Sequence, residues 1–134
     1  MAIQLSVSVR NARLDQIEST IGTAPTLEIR TGSPPANCAA ADIGTVLATM
    51  TLPSDWMANA ASGSKALSGT WQDLSADATG NAGHFRIKAG ATCHLQGTCT
   101  AASGGGDMEI SPSVSVTAGQ SFTVSTMTLT DGNA

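Results

Sequence analysis

Cys93 and His94 stand side by side, Cys99 follows on the same run, and Cys38 and His84 lie elsewhere in the chain. Thiolate and imidazole are what a structural zinc site takes, about four at a time and usually from CxxC-type pairs. Here the nearer cysteines fall on one apparent strand, TCHLQGTC, and only Cys38 and His84 remain to complete a set. The spacing therefore reads as small thiols and ordinary histidines, with no metal and no cofactor expected. A Cys93–Cys99 disulfide meets a geometric objection. A straight strand of that length separates its ends by roughly 20 Å, so only a bend at Gly97 would join them. Adjacent Cys and His also point to opposite faces of a strand and make a poor catalytic dyad.

The other chemistry-bearing residues are equally scattered. None of the serines sits in a GxSxG elbow. Glu28 falls on the polar side of a strand and Asp73 and Asp77 flank turns, so they read as solvated charges without an acid–base partner. Gly104–Gly106 lacks the lysine and the following helix of a phosphate loop. No catalytic residue is expected, and the chain does not read as an enzyme. Trp56 and Trp71 are a conceivable carbohydrate platform, but with two Trp, two Phe and no Tyr they are expected as core anchors.

The elements that would carry these residues are mostly strands. Leu27 and Ile29 alternate with polar neighbours in TLEIRTG, as do Val46, Ala48, Met50 and Leu52 in TVLATMTL, which is the period of half-buried strands. Gly32, Pro34, Pro35 and Gly44 make the link between them an irregular loop. His84–Lys88 alternates in the same way, with Phe85 and Ile87 on one face and Arg86 and Lys88 on the other. Further strands are expected over Ala66–Leu74, Thr92–Ala101 with a bulge at Gly97, Met108–Ile110, Val114–Thr117 and Ser121–Leu129. Pro53 ends the second strand, with Ser54 or Asp55 opening a short helical turn, and the DGNA tail is expected to fray or to lie on a neighbour.

Ahead of the strands, Ile3, Val7, Leu14, Ile17 and Ile21 form a heptad-like stripe broken only by Arg10. IQLSVSV also alternates as a strand would. The stripe favours a helix over about 7–21, with Ser6 as cap and Gly22 as stop and with Arg10, Arg13, Asp15 and Glu18 off the stripe. Val7, Leu14, Ile17 and Ile21 are then a candidate oligomer interface. The whole reads as one domain of 134 residues, mainly β, an antiparallel β-sandwich or jelly roll of seven or eight short strands over about 26–130 with one N-terminal helix.

Composition narrows the function classes. Only 12% of residues are charged and the net charge is −4, so the basic footprint of a nucleic-acid binder is missing. No apolar run approaches the roughly 20 residues that span a bilayer. The start, MAIQLSVSVRN, lacks the layout of a signal peptide, and three cysteines do not make a secreted disulfide framework, so synthesis in a cytoplasm is expected. So few aromatics imply a thin core, with further burial between subunits.

Three segments carry a family resemblance. RNARLDQIE at Arg10–Glu18, LEIRTGSPPANCAAADIGTVLATMTLPSDWM at Leu27–Met57 and LTDGNA at Leu129–Ala134 are similar to a recurrent type of small tailed-bacteriophage protein. The resemblance implies a virion structural component, made in the host cytoplasm and carried in the particle, with no catalytic motif. Within that class the expectation is a capsid decoration (cement) protein, a homo-oligomer (trimer or dimer) seated on the major capsid protein. A tail, neck or fibre component touching host-surface glycans is the alternative, and a glycan hydrolase is the enzyme reading that one essential acid would reveal.

Overall fold

The computed structural model describes residues 3–132, in the order α1 (Val7–Ile21), β1 (Thr26–Thr31), β2 (Val46–Thr51), β3 (Ser64–Ala66), β4 (Gln72–Asp73), β5 (Gly80–Ala89), β6 (Thr92–Ala101), β7 (Met108–Ser111), β8 (Ser115–Val116) and β9 (Phe122–Thr130). The helix begins where a side chain can satisfy its free N–H groups: Ser6 Oγ accepts from the Val9 N–H at 3.3 Å. It ends at Gly22, whose φ of 95° suits glycine and whose N–H donates to Glu18 O. The alternation of IQLSVSV gives no strand, because α1 takes over at Val7.

The strands follow one hydrogen-bonded path, β2-β1-β5-β6-β7-β9-β3, with β4 added to β9 and β8 to β5. Most neighbours are antiparallel, but β6 and β7 run parallel, so the sheet is mixed where an antiparallel one was expected. Parallel partners ordinarily need a crossover of a dozen or more residues. Here residues 102–107 suffice, because the glycine run folds back against Thr100. A Cβ on Gly104 or Gly106 would lie 2.7 Å from the Thr100 side chain, and Gly105 has φ 79°.

β2 is an exposed edge, and the chain covers it. Thr49 N–H donates to Asp73 Oδ2, Thr49 Oγ1 donates to Asp77 Oδ2 at 2.8 Å, and Asp77 N–H donates to Leu47 O. Since β4 itself pairs with β9, this tie draws the first strand of the path toward one near its far end, and the sheet curls around its apolar face. A sandwich description is compatible with that curl.

All four aromatics, Trp56, Trp71, Phe85 and Phe122, lie in one continuous apolar cluster with Leu27, Ile29, Leu47, Leu52, Ile87 and Met108. Trp56 Nε1 donates to Gly22 O at 2.9 Å, and Trp71 Nε1 to Trp56 O and Ser68 O at 3.1 Å each, so both indoles are buried with their N–H satisfied. Ala66–Leu74 is not one strand: β3 and β4 are separate and Trp71 sits just outside β4. Ser54 and Asp55 start no helical turn, and Met57 instead bridges Leu67.

The β6 irregularity falls at His94 and not at Gly97. Ile87 pairs with Leu95 and Lys88 with Cys93, leaving His94 unopposed. Gly97 pairs in register with Phe85, and a Cβ there would lie 2.9 Å from the Phe85 ring and 2.8 Å from Asp107 Oδ2. Its smallness serves close approach. At the C-terminus Asp131 does not fray: its carboxylate meets Arg13 Nε at 3.2 Å and its N–H donates to Gly63 O. Gly132 beyond it is exposed, and residues 133–134 of the expected fraying tail lie outside the described residues.

Candidate functional site

β1 and β5 pair so that Glu28 opposes Arg86 and Leu27 opposes Ile87. Alternation then sends Leu27, Ile29, Phe85 and Ile87 to the core and Glu28, Arg30, His84, Arg86 and Lys88 to the other face. That second face is not solvated. The loop of residues 32–45 folds over it, leaving Arg86 1% exposed and Arg30 and Lys88 8% exposed.

Buried charges require partners, and the loop brings them. Asp42 is the centre: its carboxylate meets Arg86 Nη1 in a short contact, Lys88 Nζ at 2.5 Å and Arg30 Nη2 at 3.3 Å. Glu28 Oε1 accepts from Arg30 Nη2 and from Lys88 Nζ, both at 2.9 Å. Loop carbonyls take further guanidinium donors: Arg86 reaches Cys38 O at 2.8 Å and Ala40 O at 3.2 Å, and Arg30 reaches Ile43 O at 3.3 Å, while Arg86 Nε is buried without a partner among the described residues. From β6, Gln96 Nε2 donates to Pro35 O at 2.7 Å. The hydrogen bond from Lys88 is the main reason the Asp42 carboxyl is held below its ordinary pKa, against the opposing effect of burial. Burial alone would lower Lys88, but its bonds to Asp42 and Glu28 outweigh that and hold it high. With Asp42 and Lys88 each held in its charged form by its partners, the network works as a clamp that fixes the loop's shape.

The bulge at His94 decides which neighbour joins this site. By shifting register it makes Cys93 the partner of Lys88 and so places Cys93 on the loop face, where its Sγ lies 2.7 Å from Cys38 Sγ. His94 instead lines a hollow with Arg13, Ile17 and Ile21 of α1. Cys99 is in the core, its thiol pushed up to about 12 by burial and then by Asp107. The nearest sulfur partner of Cys93 is therefore Cys38, and a Cys93–Cys99 pairing has no geometric basis. Among the described residues, no group of three or more His, Cys, Asp or Glu is placed to hold a metal ion.

A second ion cluster fastens the helix. Lys65 Nζ, on β3 and 1% exposed, meets Asp15 Oδ1 and Glu18 Oε2 at 2.7 Å each and donates to Ala58 O at 2.9 Å. Asp15 Oδ1 also accepts from the Ala60 N–H, and Asn11 Oδ1 from the Gly63 N–H, both at 2.9 Å. Residues set off the apolar stripe thus make the firmest attachments of α1. Along the stripe, Leu14 and Ile21 are buried within the chain, Ile17 packs partly against the core and Val7 is 48% exposed. Among the described residues, the large apolar side chains exposed at this end are Ile3, 80% exposed, Val7 and Val9.

Trp56 and Trp71, with centroids 5.9 Å apart, are enclosed and form no platform. Asp73 and Asp77 meet at Thr49 as edge caps. The clamp itself was partly visible in the sequence, since Glu28 and Arg30 alternate on one strand and Arg86 and Lys88 on another. The arrival of Asp42 from a proline-broken loop had no local signal.

No protein-family model matches the chain, and no curated protein or solved structure is similar to it.

Proposed function

We propose that the chain is a structural component of a tailed-bacteriophage particle, a capsid decoration protein that binds the outer surface of the major capsid protein as an oligomer. The observation that carries the reading is the apolar N-terminal end. Val7 and Val9 stand in solvent on the first turn of a helix that Lys65, Asn11, Arg10 and Arg13 tie to the body, and Ile3 is exposed in the segment just ahead of it. Exposed apolar side chains at one end of a firmly attached helix suit a docking role better than a catalytic one. The three resembling segments and the low charge agree with it.

Quantitative mass spectrometry of purified particles, with the major capsid protein as internal standard, tests the reading. A copy number equal to that of the capsid protein, or a simple fraction of it, supports decoration. A ratio of a few per cent, or absence from the particle, overturns it. The paired variant Val7→Asp/Val9→Asp changes only exposed positions, so it is expected to fold, yet to lose self-association in light scattering and occupancy on particles. Unchanged assembly would remove this surface from the interface.

A further inference from the structure

The two sulfurs under the loop are placed for covalent chemistry. Cys38 Sγ and Cys93 Sγ lie 2.7 Å apart. Even carbon atoms, smaller than sulfur, sit best at roughly 3.5–4.0 Å, whereas a formed disulfide spans about 2.05 Å. This approach does not rest on one weak contact. The loop is pinned before Cys38 by Gln96 on Pro35 O, after it by Asp42 on Arg86 and Lys88, and at Cys38 itself by Arg86 on its carbonyl. Cys93 is turned toward it by the His94 bulge, which interrupts the otherwise regular pairing of β5 with β6. A hollow of about 350 Å³ lined by Cys38, Asp42, Arg86, Thr92 and Cys93 opens beside the pair and admits a small reagent.

We propose that Cys38 and Cys93 are a reversible disulfide site, closed by exchange with a low-molecular-weight disulfide such as oxidised glutathione, which locks the loop of residues 32–45 onto β6. One cysteine thiolate attacks a glutathione sulfur, its S–S bond breaks, and one glutathione leaves with the electron pair. The second cysteine thiolate then attacks the protein sulfur of the mixed disulfide and releases the other glutathione. The two cysteines lose two electrons and two protons, and both appear in two molecules of reduced glutathione. The ratio of oxidised to reduced glutathione sets whether the staple is open or closed. Cys99, sealed in the core, stays outside the exchange and serves as an internal reference.

The folded protein is incubated with oxidised glutathione under mildly alkaline conditions, then alkylated in denaturant without reductant and mapped by mass spectrometry. The expected result is a loss of two hydrogens, a linked pair of peptides carrying Cys38 and Cys93, alkylation at Cys99 alone, and return of all three labels after dithiothreitol. Cys93→Ser is expected to retain one glutathione on Cys38, because the displacing thiol is gone. Refolding the reduced chain in the same redox buffer removes reagent access as an explanation. Three alkylated thiols after both treatments, a bridge that includes Cys99, or a wild-type glutathione adduct that never resolves into a bridge would each overturn the proposal.

Discussion

Lys65 is a cation on the inside whose anions are on the outside, and that asymmetry predicts unequal costs for removing the two halves of one ion cluster. The ammonium is 1% exposed, whereas the Asp15 and Glu18 side chains are 46% and 20% exposed. Asp15→Asn/Glu18→Gln keeps the shape of both partners and the acceptor for the Ala60 N–H, but strands a buried charge. Breaking a buried pair from one side costs about 3–5 kcal/mol. Lys65→Met removes the buried charge, fills the space with a similar chain and lets the carboxylates turn to water. Its cost is the hydrogen bond to Ala58 O plus imperfect packing, about 1–2 kcal/mol. A domain of this size has roughly 5–15 kcal/mol to lose, so the double variant forfeits a large share. Urea unfolding followed by tryptophan emission is the assay, because both indoles are buried. With an m-value of about 1–3 kcal/mol/M, the double variant lowers the midpoint by about 2 M. A Lys65→Met variant that loses as much stability as the double variant, at unchanged m, would refute the reasoning.

Stability should also depend on pH at both extremes. Asp15 and Asp42 are held below their ordinary values by hydrogen bonds to Lys65 and Lys88, so their contribution is present above about pH 4 and lost as pH falls through their depressed values. For Lys65 and Lys88, burial pulls down but their carboxylate bonds win, so their contribution is present below about pH 10.4 and lost as pH rises through the raised values. Thermal melts should therefore show a plateau across neutral pH, and a melt that peaked sharply at neutrality would contradict this. Asp42→Asn leaves Arg30 and Lys88 with Glu28 alone and Arg86 with no carboxylate partner among the described residues. It should cost about 3 kcal/mol and expose residues 32–45 to limited proteolysis, and an unchanged cleavage pattern would argue against the clamp. Gly83→Ala places a Cβ 2.2 Å from Gly32 O and 2.8 Å from Gly32 N, backbone atoms that cannot swing away. A loss of at least about 2–3 kcal/mol is expected by calorimetry, and a neutral result would show that the β1–loop junction yields.

Elements with a strong period were legible along the chain. Ser6 and Gly22 bound α1 because capping is local chemistry between a side chain and the nearest N–H groups. Leu27, Ile29, Phe85 and Ile87 face the core because a pleated strand sends alternate residues to one side, and the charges between them had to share the opposite face. How those faces are covered depends on contacts between distant segments. The roof over Glu28, Arg30, Arg86 and Lys88 comes from a proline-broken loop whose path depends on long-range ion pairs to Asp42, and no local pattern encodes these. One residue of bulge at His94 reverses which of two adjacent side chains meets Cys38, and register is a property of two strands together. The glycine run after β6 carries no periodic signal of its own. It became the reversal that makes β7 parallel because Thr100 leaves no room for a Cβ. Periodicity is written along the chain, whereas pairing across it is settled only by packing and by the need to neutralise buried charge.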